Sequence, residues 1–164
     1  MYRHNGLGAL ETLSRTVADS INGCKEAAEH ARSSDLRRML EQLAADRVEL
    51  HDELQSQLSR RGGPSNPGGS TLGHLHHAWL EFKARIPGSD DLDVIEEVKR
   101  GEDYLKEKFE TVISREAMDE DIRTILERAY HRVCEGRDLV VECGSRFEVT
   151  ECVANNNLAS PQLQ

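Results

Sequence analysis

Residues 35–58 read DLRRMLEQLAADRVELHDELQSQL. Leu36, Leu40, Leu43, Leu50, Leu54 and Leu58 recur at intervals of three, four and seven, so they line one face of an α-helix while polar residues fill the others. Arg47 breaks the stripe, standing where another leucine is due. Ser33, Ser34 and Asp35 precede it with side-chain oxygens that can accept from free N–H groups at a helix start. Gly62, Gly63 and Pro64 end it, because glycine suits a left-handed cap and proline cannot continue a helix.

Upstream, Leu10, Leu13, Val17, Ile21, Cys24, Ala28 and Ala31 form a second stripe within residues 7–32. The break before Leu36 is too short for anything but an antiparallel pair. Downstream, residues 62–70 read GGPSNPGGS, a flexible connection. Leu72, Leu75, His76, Trp79, Phe82, Lys83 and Ile86 then trace a shorter amphipathic helix, closed by Pro87 and Gly88, which reads as a crossover element. A third long helix is expected from about Asp90 to Ser114, with Ile95, Val98, Glu102, Leu105, Phe109 and Val112 in phase. A fourth is expected from about Asp119 to Val149, with Ile122, Leu126, Ala129, Val133, Arg137, Val140 and Phe147 on or near one side. The sequence therefore predicts an all-α fold: one helical-bundle domain over residues 1–153 and a flexible polar tail over 154–164.

With 30 acidic residues against 21 basic, the formal charge is −9, and a nucleic-acid partner is not expected, since that role needs a basic face. No apolar run reaches the roughly 18 residues of a membrane span, and the start lacks the apolar core of a secretory leader. A cytoplasmic protein of bacterial type is the expectation. There is no glycine-rich phosphate loop, no Gly-x-Ser-x-Gly and no Cys-x-x-Cys, so no motif supports an enzyme.

The informative residues are charges on apolar stripes: Arg47 and Glu102, with Arg137 and His131 on or near the inner side of the last helix. An isolated buried charge costs several kcal/mol, so these groups are expected to pair or to coordinate something. The favoured expectation is a buried polar layer of Arg47, Glu102 and Arg137, with Tyr130 nearby and no cofactor. The alternative is a site for iron or another divalent metal built on Glu102, His51 and His131. The carboxylate metal sites of helical bundles use a Glu-x-x-His on each of two helices. No such spacing occurs: Glu26 to His30 and Glu127 to His131 are four apart. Gly101 and Gly136 each precede one of the stripe charges, which suggests close helix approach there, and Gly23 is a third glycine within a helix.

His74 and His77 share a helical face but lack a third ligand, so packing or solvent exposure is the plainer reading. His76, Trp79 and Phe82 form a candidate partner surface. Cys134, Cys143 and Cys152 are nine apart, and successive ones point to opposite sides of a helix, so they cannot gather around one metal. Cys24 reads as a small apolar core residue.

Several short segments, taken together, resemble a known group. These are Gly23 with Ala27-Ala28, Arg47 within Leu43-Ala-Ala-Asp-Arg47, Gly62-Gly63, His76-His-Ala-Trp79 with Lys83, and Arg100-Gly-Glu102-Asp. Over approximately Leu10 to Val141 the chain is similar to a bacterial ferritin-like four-helix-bundle family of unknown function. The resemblance implies a ferritin-like up-down bundle with an additional short crossover helix between the second and third long helices. It makes Glu102 the counterpart of a carboxylate on the third bundle helix. Where relatives are expected to carry His-Asp in the last helix, this chain has Arg137-Asp138, and a guanidinium offers a metal no lone pair. The functional expectation is a non-catalytic protein acting as a homo-oligomer or on a protein partner, with no intact di-iron site. The alternative is a metal-binding or redox protein with a degenerate site.

Overall fold

The computed structural model describes residues 6–64, 90–115 and 117–158, with Glu81, Ala84 and Gly88 between; for residues 155–158 it describes the helical backbone only. The described residues are all-α, with no strand. Four long helices follow one another: α1 (Leu7–His30), α2 (Ser34–Arg60), α3 (Asp91–Arg115) and α4 (Glu120–Leu158). The expected crossover helix, and with it His74, His76, His77, Trp79 and Phe82, lies outside the described residues. None of the described helices is long and apolar enough to cross a membrane.

Local chemistry sets the helix ends. Gly6 precedes α1 with φ 109°, a conformation that L side chains rarely adopt, and a Cβ there would stand 2.8 Å from that of Met118. The hydroxyl of Ser33 caps α2 by accepting from Leu36 N. At α3 the Asp90 carboxylate accepts from Asp93 N at 2.9 Å, with acidic Asp91 and Asp93 in the first turn.

Contacts at the two poles fix the helix directions. Arg32 N and Ser33 N, in the turn between α1 and α2, donate to the Asp91 carboxylate at 2.7 and 2.8 Å, so the start of α3 lies beside the end of α1. At the opposite pole Arg61, just past α2, bonds Asp121 in the first turn of α4 at 2.6 Å. The order is up, down, down, up, so the alternating up-down order expected from the resemblance fails between α2 and α3. Since α2 and α3 run the same way, the chain from Arg61 to Asp90 must return from one pole to the other, a distance set by helices about 40 Å long. Helix α1 packs on α2 and on α3, and α4 packs on α3; of the four sides, α2–α4 is the most open.

The core has two apolar parts. The first joins Leu10, Leu13, Val17, Leu50, Leu54, Leu105, Phe109, Leu126 and Val133, among others. The second joins Cys24, Ala27, Ala28, Leu36, Leu40, Leu43, Val94, Val98 and Val140, among others. Between them lies a layer of polar groups. Helix α4 outlasts its expected end at Val149, running to Leu158, since neither glycine nor proline stands between Val149 and Pro161. Gly144 lies against Ile95 near the start of α3, so the last turns of α4 project past its neighbours, and residues 148–154 are all exposed.

Candidate functional site

Arg47 and Glu102 meet in the polar layer, each almost wholly buried at 2% and 1% exposure. The leucine stripe of α2 places Arg47 on the core side, and the stripe of α3 does the same for Glu102. Arg47 Nη2 donates to Glu102 Oε2 in a short charge-assisted bond across the diagonal of the bundle. The other oxygen of Glu102, Oε1, accepts from the Ser20 hydroxyl of α1 at 2.7 Å. Nη1 and Nη2 of Arg47 also donate to the Arg132 and Val133 carbonyls of α4 at 3.2 and 3.3 Å. One ion pair thus ties all four helices at mid-height. Arg47 Nε is buried with no hydrogen-bond partner, so the network is not fully satisfied.

Gly136 makes room for the guanidinium. A Cβ built there would fall 2.4 Å from Arg47 Nη2 and 2.9 Å from Leu43 Cδ1. The expected close approach is real at Gly136 and missing at Gly101, which is exposed with nothing within 4 Å of a built Cβ. Arg137, expected in the layer, lies one position further round α4 and outside it. Its Nε donates to Asp103 at 2.8 Å, and its side chain is 31% exposed. Tyr130 is likewise turned to α3, where its hydroxyl donates to Glu110 at 2.5 Å, and this bond raises the phenol's pKa.

The three residues of the metal alternative stand in different surroundings. Glu102 is in the core, His51 is largely covered with Nδ1 3.6 Å from Asp52, and His131 is 77% exposed with Nδ1 3.4 Å from Glu135. Among the described residues no three His, Cys, Asp or Glu side chains gather in a way that could hold a metal ion. The core carboxylate serves a guanidinium and a hydroxyl.

Two further groups belong to this neighbourhood. Cys24 borders the layer, and burial first, then the Glu102 charge, push its thiol up to about 12, so it stays protonated and inert. All four cysteines are free. Asp19, beside Ser20, was not visible as a candidate in the sequence because it falls off the apolar stripe of α1. Burial raises its carboxyl to about 7, and its Oδ2 is covered without a hydrogen-bond partner. A carboxyl whose folded pKa is raised favours the fold below about pH 4, and this contribution is lost as pH climbs towards 7. Asp19→Asn is therefore expected to stabilise the protein by about 1 kcal/mol at pH 8, after allowance for the solvent the side chain still meets, and by little at pH 4. Urea unfolding at the two pH values checks this; equal gains at both would remove burial as the cause.

A comparison with family models matches residues 6–115 to a domain of unknown function, DUF2383. The chain belongs to this family. The matched region spans α1 to α3 and contains Ser20, Cys24, Arg47 and Glu102, whereas α4, with Gly136 and the two carbonyls that receive Arg47, follows it. No curated protein matches the chain.

Proposed function

We propose that this protein is a non-catalytic helical bundle on a ferritin-like scaffold that acts in the cytoplasm through protein–protein contact, as a homo-oligomer or on a partner. The observation that carries this reading is the Arg47–Glu102 pair. The level at which such a scaffold would present carboxylates to metal ions is occupied by a guanidinium bonded to the core carboxylate and to two main-chain carbonyls. A cation fixed there repels a second cation, and its own donors are directed at the groups a metal would need. The up, down, down, up order with one long return connection supports the scaffold assignment.

Elemental analysis of untagged protein, purified without chelators, tests the reading. The expected content of iron, manganese and zinc is well below one atom per chain. Stoichiometric metal that disappears in Glu102→Gln would replace this reading with that of a metal-binding or redox protein.

A further inference from the structure

The outer face of α4 carries a stripe that none of the described helices covers. Leu139, Glu142, Arg146, Val149 and Val153 follow at intervals of three and four, so they share one side of the helix along a line suited to a second helix. Leu139, Val149 and Val153 are 40%, 64% and 56% exposed, high values for aliphatic side chains. Glu142 and Arg146, an ion pair within the helix, are exposed between them.

From Leu139 to Val149 the order reads the same from both ends, apolar, charged, opposite charge, apolar, with Val153 beyond it. Laid antiparallel on a second copy about a two-fold axis between Glu142 and Arg146, Leu139 meets the second copy's Val149, and Glu142 meets the second copy's Arg146. The remaining two pairs follow by symmetry. In a parallel arrangement each charge would instead face its own like, Glu142 on Glu142 and Arg146 on Arg146. In the antiparallel register Val153 falls level with the second copy's Glu135, at the edge of the open α2–α4 side. There a groove of about 390 Å³ is lined by Leu43, Gly136 and Leu139 and by the polar residues Asp46, Arg47, Arg132 and Glu135. The projecting turns of α4, which have no neighbour in their own bundle among the described residues, would rest over this groove.

We propose that this face of α4 is a homodimer interface in which the two α4 helices pack antiparallel, each projecting end lying along the other's α2–α4 groove. The proposal rests on the oligomeric form of the function proposed above and names its surface. A seam of about five helical turns is small beside standard interfaces of about 800 Å² per partner, so the dimer is expected to dissociate in roughly the micromolar range.

Sedimentation equilibrium of the full chain from about 1 µM to 1 mM should show a monomer–dimer equilibrium. Leu139→Lys and Val149→Glu should each weaken it by about tenfold or more, since each sets a charge against an aliphatic side chain of the second copy. The double variant should recover most of the loss, because the introduced ammonium of one chain would then face the introduced carboxylate of the other. Positions 139 and 149 are ten residues apart along one helix, so rescue can act only between chains. Thermal unfolding of each variant followed by circular dichroism verifies that the bundle itself is intact. A chain that stays monomeric throughout, a dimer indifferent to both single changes, or the absence of rescue would each overturn the interface. A dimer indifferent to the changes would still leave the oligomeric reading standing, and only the metal analysis bears on the absence of a metal site.

Discussion

Replacing Glu102 by Gln is expected to destabilise the bundle by about 3–5 kcal/mol, the range found when one partner of a buried ion pair is removed. The amide keeps one acceptor oxygen for the two donors that now share the carboxylate, Ser20 and Arg47, so the loss combines the missing charge with a missing acceptor. Without it, a guanidinium 2% exposed, whose Nε already lacks a partner, has only the Arg132 and Val133 carbonyls to receive it. For a chain of this size a loss of 1 kcal/mol lowers Tm by about 2–4 °C, so a drop of roughly 10 °C is expected in thermal unfolding at neutral pH. An unchanged Tm would mean that water reaches the pair.

Gly136→Ala is the second large effect. In most helix interiors this exchange gains about 1 kcal/mol from helix propensity. Here the new methyl would stand 2.4 Å from Arg47 Nη2 and 2.9 Å from Leu43 Cδ1. The guanidinium is the far end of a long side chain, yet it is pinned by Glu102 and by two carbonyls of α4 itself, so it cannot retreat without breaking those bonds. A net loss of about 2–4 kcal/mol is expected from overpacking combined with a damaged ion pair. In an Arg47→Met background, where the flexible side chain can give way, most of that loss should vanish. Urea unfolding of the four proteins checks this recovery; a loss independent of the residue at 47 would place its origin in the backbone of α4.

Much of this arrangement is legible in the sequence, because leucine spacing encodes a helix face directly. The stripe through Leu36, Leu43 and Leu58 locates α2, and its interruption at Arg47 identifies a buried charge before any coordinates are needed. The same logic finds Glu102. It misplaces Arg137 because a residue one position from the centre of a broad stripe can swing to either flank, and Asp103 on α3 draws it outward. The glycine before it is the better signal, since a glycine inside a long helix costs stability unless something presses against it. Gly101 shows the limit of that rule, being a glycine with nothing against it. Asp19 is invisible to periodicity, because its burial arises from neighbouring packing and not from its own position on the stripe. Sequence reasoning underestimates the length of α4 because the polar residues from Ala154 onward resemble a frayed tail, although none before Pro161 breaks a helix.

Arg47 and Glu102 neutralise each other inside the bundle, and a double-mutant cycle measures this directly. Unfolding free energies of the natural protein, Arg47→Met, Glu102→Leu and the double variant give the coupling between the two positions. Each single change is expected to cost several kcal/mol while the double costs far less than their sum, a coupling of about 2 kcal/mol or more. Additive losses would contradict it, since they would mean that the two side chains serve other partners.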